Sequence, residues 1–345
     1  MKYLACYTQI APYKSGGILG VGSSQKILQQ PLWEAVARLL YQIKQTGWST
    51  AKELKHHYKF PEAQEAIDLI ASSNLLAPKE EFDPDNHYSR NHLYYRYLGA
   101  NPMDAQEKLL KASVTILGCG GIGSTIAYYL ANSGVGHLTL IDDDIIELSN
   151  LTRQVLYTEA DIGKAKTKIL KRELLKRNHN IKIKIQNIQI SSFADMAKLK
   201  RSDLFIISAD KPFGLMNWIN EYCVKNQQPY LNLGYINDIS VVGPFYIPDK
   251  TACLACQAVT PDYNGNSDIA VLCNEINKDF KPASFPGVNG VAAAYGFNEA
   301  IKFLGGIGKI LSKNKRIGIH STKAEFEFQT LIRNPRCLIC ATTAK

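Results

Sequence analysis

The sequence predicts an α/β fold: a mostly parallel, Rossmann-like sheet with helices on both faces, preceded by a small α+β module that resembles a winged helix. Three observations lead to this prediction. The composition is that of a globular protein, with 46% hydrophobic and 21% charged residues in a chain of 345. From Gln106 onward, helical and strand patterns alternate, which is typical of a parallel sheet. Before residue 80, the pattern is mainly helical.

The first 80 residues are predicted to form a domain of their own. PLWEAVARLLYQIKQTG has the pattern of an amphipathic helix, STAKELKHHY that of a second helix capped by Ser49 or Thr50, and PEAQEAIDLIASSN that of a third. A strand-like start, KYLACYTQIA, completes the outline of a winged helix, a module that binds DNA or peptides. LAPKEEFDPDNH then breaks the periodicity, so we predict domains at 1–80 and 81–345.

The elements of the second domain follow from their apolar patterns. Strands are predicted at VTILG, HLTLID, KIKIQNIQI, DLFIISAD, PYLNLGYI, SVVGPFYIP, RIGIHST and EFEFQTLIR. Helices are predicted at STIAYYLANSG, KAKTKILKRELLKRN, KPFGLMNWINEYCVKNQ and GVNGVAAAYGFNEAIKFLG.

Charge and hydropathy limit the class of protein. The net charge of +9 at pH 7 favours an anionic partner, although the cations of KAKTKILKRELLKRN also fit the solvated face of a helix. No stretch reaches the roughly 20 apolar residues that span a bilayer. The first 12 residues lack the pattern of a signal peptide. We therefore expect a cytoplasmic protein that does not associate with a membrane.

A glycine-rich loop follows the first strand of the second domain. Gly118, Gly120 and Gly123 satisfy G-x-G-x-x-G, with Gly121 inside the motif, and Asp142 ends the next strand, 19 residues after Gly123. Glycines let the backbone approach a phosphate, the helix N-terminus supplies N–H groups, and Asp142 can bind ribose hydroxyls. Any adenine nucleotide fits, NAD included. A P-loop is disfavoured because no Lys follows the last glycine.

Groups that suit a triphosphate follow the next strands. Asn150, Arg153 and Gln154 end the segment DDDIIELSNLTRQ, and Lys166 opens the next helix. Asp210 follows the strand DLFIISA and so lies at its carboxyl end, where open α/β sheets bind ligands. A carboxylate there can hold Mg²⁺ beside phosphates, and an N-cap Asp would have the same pattern.

The cysteines include two C-x-x-C pairs, Cys253 with Cys256 and Cys337 with Cys340. Together they offer four thiolates, the tetrahedral ligand set of a structural Zn²⁺ site. A redox function is the alternative, but two pairs without a thioredoxin-like context favour zinc. Cys273 has no adjacent His or cation, and we interpret it as an ordinary thiol.

Four segments in order, GCGGIG, DDDIIELSNLTRQ, DIGKAKT and SAD, resemble the ATP-binding core of the E1-like (ThiF/MoeB-type) superfamily of adenylating enzymes. The resemblance runs from about Tyr88 to the C-terminus. It implies ATP on the glycine loop, Asp142 on the ribose, Asp144 as a further acid near it, Mg²⁺ on Asp210 and structural Zn²⁺ on the four cysteines. The residues implied to contact or approach the phosphates are Asn150, Arg153, Gln154 and Lys166.

HYSRN, residues 87–91, resembles the arginine-bearing segment with which this superfamily reaches the ATP of a partner subunit. The matching residue is Arg90. The resemblance therefore implies a homodimer in which Arg90 acts in trans, together with Arg153, Lys166 and Asp210 of the other subunit. An ordinary surface residue is the alternative for Arg90.

The first 80 residues, with YSRNHLYYRYLGANP, QPYLNLGYINDI and FKPASFPGVNGVAA, resemble the adenylyltransferases of microcin C biosynthesis. This resemblance implies that the N-terminal module clamps a short ribosomal precursor peptide ending in Asn, whose C-terminal carboxylate is adenylated. It further implies that the Asn amide closes a succinimide, whose nitrogen attacks a second ATP to give a peptidyl-nucleotide with a P–N bond. We interpret segment 258–285 as a lid over the peptide, with a disordered insertion that has no role as the alternative.

Three other functions fit parts of the sequence. The first is adenylation of a sulfur-carrier protein ending in Gly-Gly, the second a nucleotide-sensing DNA-binding regulator, and the third an NAD oxidoreductase. DNA binding is disfavoured by Glu62, Glu65 and Asp68 on the candidate recognition helix. The basic cluster and Asp210 disfavour the oxidoreductase. We expect ATP and a peptide as partners, and no nucleic acid.

Overall fold

The computed structural model describes residues 1–20, 22–48, 50–58, 61–79, 83–212, 214–257, 268–278 and 281–341. The chain divides into two compact units, Met1–Ala105 and Gln106–Lys345. The predicted domain limits at 1–80 and 81–345 stay a prediction.

The helices and strands are numbered in chain order. The helices are α1 (Leu32–Thr46), α2 (Ala51–His57), α3 (Ala63–Ala71), α4 (Ser89–Tyr97), α5 (Pro102–Lys111), α6 (Gly121–Asn132), α7 (Lys166–Arg177), α8 (Leu215–Lys225), α9 (Asp268–Asn277) and α10 (Pro286–Gly305). The strands are β1 (Tyr3–Leu4), β2 (Ile10–Tyr13), β3 (Gly16–Leu19), β4 (Lys26–Gln29), β5 (Leu76–Ala77), β6 (Ser113–Leu117), β7 (His137–Ile141), β8 (Lys182–Gln186), β9 (Leu204–Ile207), β10 (Tyr230–Ile236), β11 (Ile239–Tyr246), β12 (Lys315–His320) and β13 (Phe326–Thr330).

The first unit contains a three-stranded antiparallel sheet, β2-β3-β4, a two-stranded pair, β1-β5, and helices α1 to α3. Apolar residues recur every three or four positions in α1, so one stripe from Trp33 to Ile43 is buried against α3 and the sheet. Thr50 caps α2, since its side chain accepts a hydrogen bond from the Glu53 N–H at 3.2 Å. Ser49, the other predicted cap, lies outside the described residues.

The second unit is built on an eight-stranded sheet with the order β13-β12-β11-β10-β9-β6-β7-β8. Strands β6 to β10 are parallel, whereas β11, β12 and β13 continue the sheet antiparallel. Helices cover both faces of its centre. Leu233 lies against Gly296 of α10 on one face, and the ring of Phe205 stacks on that of Tyr222 of α8 on the other, at 6.1 Å. The predicted α/β fold class is confirmed.

The order of the parallel strands fixes where a ligand is expected. From β6 the chain moves to β7 and β8 on one side, then crosses back to β9 and β10 on the other. The crevice of such a sheet therefore lies at the carboxyl ends of β6 and β9, where the strand order changes direction. The glycine loop follows β6 and Asp210 follows β9, so both lie at this point.

Two observations bear on the predicted lid and on membranes. Part of segment 258–285 forms the helix α9, which the sequence pattern did not predict. Residues 258–267 and 279–280 of that segment lie outside the described residues. Within the described chain, no helix has the length and apolar character needed to cross a bilayer.

Candidate active site

The glycine loop joins β6 to α6 in a turn that side chains would block. Gly118 has a φ of +92°, and a Cβ there would lie 2.8 Å from the backbone nitrogen of Ala209. A Cβ on Gly123 would lie 1.8 Å from the carbonyl oxygen of Gly118. These two glycines therefore permit the tight turn and its packing against the end of β9.

The start of α6 is suited to an anion. Gly120 is its N-cap, and the first N–H groups of a helix have no partner inside the helix. The positive end of the helix dipole adds to their attraction for a negative group. The nearest atom to a Cβ on Gly120 would be Nε2 of Gln154 at 3.8 Å, whereas Gly121 lies close to Asn289 of α10. Gly120 is thus the open point of the loop, the glycine of the motif with the most free space beside its Cα.

Asp142 follows β7 and is held beside the glycine loop. Its Oδ2 accepts a hydrogen bond from the Cys119 N–H at 2.5 Å, and its Oδ1 accepts one from the Asp144 N–H at 2.8 Å. Burial raises the pKa of Asp142, although the Cys119 N–H and the nearby Lys166 ammonium act in the opposite direction. The carboxylate has lone pairs left for ribose hydroxyls.

We expect the KM for ATP to increase as the pH falls through the raised pKa of Asp142, because a protonated carboxyl group offers fewer acceptors to ribose hydroxyls. KM measured at decreasing pH, from about pH 8 down to the limit at which the protein stays folded, tests this expectation. The matched control is 2′,3′-dideoxyATP, whose KM should not follow this titration. Equal pH profiles for both nucleotides would contradict it.

The raised pKa of Asp142 also affects the stability of the fold. ATP binding uses the ionised carboxylate, whereas the fold favours the protonated form. The folded-state pKa of Asp142 lies above its unfolded-state value, so the fold favours the protonated form. The resulting contribution to stability is present below the unfolded-state pKa and is lost as the pH rises through the folded-state pKa. The ionised carboxylate of Asp142 therefore adds no stability to the fold at neutral pH, as is common at functional sites.

Lys166 is the first residue of α7, and its ammonium is buried. Its Nζ lies 2.6 Å from Oδ2 of Asp144, and 6% of the Lys166 side chain is exposed, compared with 65% for Asp144. The backbone N–H of Lys166 also donates to the carbonyl of Asp144 at 3.0 Å. The two residues are thus brought together at the carboxyl edge of the sheet.

The loop after β7 carries the other predicted phosphate contacts. Asn150 is buried, and its Oδ1 accepts a hydrogen bond from the Glu147 N–H at 3.2 Å, which caps the single helical turn Leu148–Asn150. The half-buried Arg153 donates to the carbonyl of Ser149 at 3.0 Å. Its guanidinium has donors left for an anion.

Gln154 is the polar group that most clearly requires a ligand or water. Its residue surface is 3% exposed, yet its Oε1 has no hydrogen-bond partner among the described residues. An unsatisfied buried acceptor costs free energy on the order of 1 to 3 kcal/mol. Because its amide also approaches Gly120, this unsatisfied atom supports a ligand at the start of α6.

The structure gives less support for the predicted roles of two residues. Asp210 is exposed at the carboxyl end of β9 and has no hydrogen bond or ion pair with the described residues. Arg90 is exposed in α4 and belongs to the first unit, whereas the other residues of the candidate site belong to the second. The contact of Arg90 with a partner's ATP stays a prediction.

The four cysteines of the C-x-x-C pairs meet at one point. All are buried, and their Sγ atoms lie within 4.8 Å of one another. The separations are 3.7 Å for Cys253 and Cys337, 3.9 Å for Cys253 and Cys256, and 3.3 Å for Cys256 and Cys340. Four sulfurs around a Zn²⁺ at about 2.3 Å would be roughly 3.8 Å apart. The cluster therefore fits a tetrahedral zinc site.

One residue near the site was missed by the sequence analysis. Tyr157 is buried, and its hydroxyl donates to the carbonyl of Cys119 at 2.8 Å. It lies in the stretch VLYTEA, which has no motif and no periodicity. An aromatic residue in a polar loop was the only available signal.

The chain was compared with known proteins. Residues 89–339 match the ThiF family. The structure is similar to the crystal structure of Escherichia coli MccB with AMPCPP and selenomethionine MccA, with 42% identity, a TM-score of 0.90, and coverage of 98% of this chain and 99% of that chain.

Curated relatives agree with the family. The chain is 32% identical over 237 residues to molybdopterin-synthase adenylyltransferase of Escherichia coli (strain K12), over 69% of this chain and 90% of that protein. It is 30% identical over 220 residues to probable molybdopterin-synthase adenylyltransferase of Porphyra purpurea, over 61% of this chain. The chain spans about half of the latter relative, 52% of its length. The glycine loop, Asp142 and three of the four clustered cysteines lie inside residues 89–339, and the chain belongs to the ThiF family of E1-like proteins and is an ATP-dependent adenylyltransferase.

Proposed function

We propose that this enzyme adenylates the C-terminal carboxylate of a short ribosomal precursor peptide ending in Asn, in the biosynthesis of a microcin C-like antibiotic. One observation carries the proposal: the likeness to MccB covers 98% of this chain, the first unit included. The similarity to molybdopterin-synthase adenylyltransferase covers 69%. The first unit is therefore the part that supports a peptide clamp, since MccB was crystallised with MccA.

The proposed first step is a displacement at the α-phosphorus of ATP. A C-terminal carboxylate oxygen of the peptide forms a bond to the α-phosphorus, the bond from that phosphorus to the bridging oxygen of the β-phosphate breaks, and pyrophosphate leaves with the electron pair. The products are an acyl adenylate and pyrophosphate. Such a transfer needs positioning and charge stabilisation more than covalent help from the protein.

Each residue of the site has its own role in this adenylation step. The glycine loop and the start of α6 bind phosphate oxygens, and Asp142 orients the ribose. Arg153 and Lys166 stabilise the negative charge that develops on the phosphates. Lys166 is held by Asp144 at 2.6 Å, so phosphate binding requires the ammonium to share or exchange this partner. Mg²⁺ on Asp210 would neutralise charge on the phosphates and leaving pyrophosphate.

The later steps are proposed from the resemblance to the microcin C enzymes. The side-chain amide of the terminal Asn displaces AMP from the acyl adenylate and closes a succinimide. The succinimide nitrogen then attacks the α-phosphorus of a second ATP, releasing a second pyrophosphate. The resulting P–N bond joins the peptide to AMP.

ATP–pyrophosphate exchange tests the substrate. We expect exchange with short peptides ending in Asn and none with the same peptides carrying a C-terminal amide, because the amide removes the nucleophilic carboxylate. The competing substrate is a folded carrier protein ending in Gly-Gly. Exchange with the carrier alone would overturn the peptide assignment while leaving the adenylating chemistry in place.

The carrier protein remains the second candidate for one specific reason. The names of the curated relatives are those of enzymes that adenylate sulfur carriers or molybdopterin synthase. The ThiF match, residues 89–339, contains the whole predicted nucleotide core, Arg90 included. The chemistry of the first step is the same for both substrates, so only the substrate test separates them.

We further propose that the enzyme works as a homodimer. All five residues of the edge strand β13 are exposed, including Phe326 at 50% and Phe328 at 60%. An edge strand with exposed aromatic side chains is a favourable surface for pairing with another chain. A second copy is the proposed occupant, because the resemblance to the E1-like superfamily implies a homodimer.

Mixing two inactive variants tests the trans action of Arg90. Arg90→Ala and Asp210→Ala are each expected to be inactive, because each lacks one charge needed at every site. After co-refolding in equal amounts, heterodimers would contain one site with both residues, and about a quarter of wild-type activity should return. No recovery with heterodimers present would mean that Arg90 acts within its own subunit, and full activity of Arg90→Ala alone would mean that it has no role.

The sulfur cluster is proposed to hold a structural Zn²⁺. Four thiolates without an open position suit a closed structural site rather than a catalytic one. None of the eight cysteines forms a disulfide. We accordingly propose that the enzyme acts in the cytoplasm, where thiols stay reduced and ATP and new ribosomal peptides are both available.

A further inference from the structure

Both peptide groups on either side of Cys119 are held by side chains from other segments. The N–H of Cys119 donates to Asp142, and its carbonyl accepts from the hydroxyl of Tyr157. The peptide bond between Cys119 and Gly120 is trans, so the Gly120 N–H points away from the carbonyl that Tyr157 binds. The hydroxyl of Tyr157 therefore fixes the direction of that N–H.

The Gly120 N–H is itself free among the described residues. It belongs to the N-cap of α6, at the open point of the glycine loop. The unsatisfied Oε1 of Gln154 lies in the same region and independently indicates a ligand there. A free N–H held in one direction beside a helix N-terminus is the donor that a phosphate oxygen requires.

Tyr157 also connects the two loops that line the site. Its own N–H donates to the carbonyl of Gln154 at 3.1 Å, which closes a turn next to Arg153. Burial raises the pKa of Tyr157 well above its ordinary value, so the phenol remains protonated and a donor at any working pH. The Cys119 carbonyl is thus held by a hydroxyl that stays a donor, while Asp142 holds the Cys119 N–H.

We propose that Tyr157 is a positioning residue for the nucleotide: its hydroxyl orients the Cys119–Gly120 peptide so that the Gly120 N–H binds a phosphate oxygen. This inference rests on the nucleotide use described above and not on the identity of the second substrate. Tyr157 does not contact the reacting atoms. Its effect should therefore appear in the binding of phosphates and not in that of the adenosine moiety or the peptide.

The test is Tyr157→Phe, which removes the hydroxyl and keeps the buried ring. The matched control is Tyr222→Phe. Tyr222 lies in α8, and its hydroxyl also donates to a backbone carbonyl, that of Leu199, at 3.0 Å. Binding of MgATP and of adenosine to the full-length protein is measured by calorimetry without peptide. Thermal unfolding of both variants measures the common structural cost of losing such a bond.

We expect Tyr157→Phe to weaken MgATP binding about fivefold to tenfold and adenosine binding less than about twofold. Tyr222→Phe should leave both affinities within about twofold of wild type. Unchanged MgATP affinity in Tyr157→Phe, or an equal loss for adenosine, would overturn the proposal. Because no peptide is present, failure to find a peptide substrate would count against the proposed function and leave this inference standing.

Discussion

Replacement of Asp210 by alanine is expected to reduce ATP–pyrophosphate exchange about a thousandfold or more while the protein stays folded. A metal ion that neutralises phosphate charge contributes several kcal/mol to the transition state, and each 1.36 kcal/mol is about tenfold in rate. Asp210 lies at the carboxyl end of β9, where its carboxylate is exposed and has no partner among the described residues. Its loss should therefore remove the metal site without leaving a buried group unsatisfied.

The control for this experiment is Asp104→Ala. Asp104 is also exposed, lies in the first turn of α5 and should change neither exchange nor unfolding by more than a few tenths of a kcal/mol. Exchange is measured over a range of Mg²⁺ concentrations, together with the unfolding temperature. Full exchange by Asp210→Ala would assign Mg²⁺ to another group. A large fall in its unfolding temperature would instead make Asp210 a cap of the segment that follows.

The second large effect is expected from Cys253→Ser. This change should reduce bound zinc from about one ion per chain to near zero, since three thiolates and a hydroxyl form a much weaker site. Cys253 is fully buried, and its Sγ also accepts a weak hydrogen bond from Nδ2 of Asn220 at 3.8 Å. Loss of the ion should destabilise the second unit by several kcal/mol and lower its yield as soluble protein.

Cys273→Ser is the matched control for the cluster. Cys273 is exposed in α9 and lies outside the four-sulfur group, so its variant should keep both zinc and stability. Metal content measured by elemental analysis, with thermal unfolding, distinguishes the two variants. Normal zinc content in Cys253→Ser would refute the cluster as the metal site. Loss of exchange in Cys273→Ser would show that this thiol is more than the ordinary one we predict.

The parts of the site that sequence could predict are those that depend on local geometry. Gly118 and Gly123 are required by a turn between a strand and the next helix, and Asp142 ends the neighbouring strand. The C-x-x-C pairs have a spacing that suits one metal ion, although only the fold brings the two pairs together. Such features are encoded in short segments, so their patterns are visible without the structure.

The remaining features depend on contacts between segments far apart in sequence. Tyr157 bonds to Cys119, 38 positions earlier, and nothing in its own segment indicates this. The capping role of Asn150 and the unsatisfied acceptor of Gln154 likewise became visible only from their surroundings. In the first unit, β2 to β4 are four residues each, too short for their alternation to be recognised against the flanking glycines.

The spacing of the sulfur cluster has a consequence for the cell. Cys253 and Cys337 are 84 positions apart, so a metal bound there closes a ring of chain that contains α10, β12 and β13. A cross-link that closes a ring of that size lowers the entropy of the unfolded chain and so stabilises the fold by on the order of 4 to 5 kcal/mol. Helix α10 lies inside the ring and touches Gly121 through Asn289. With zinc in the cluster, adenylation in a zinc-starved cell would fall because less folded enzyme is present, before any change in the turnover of each surviving molecule.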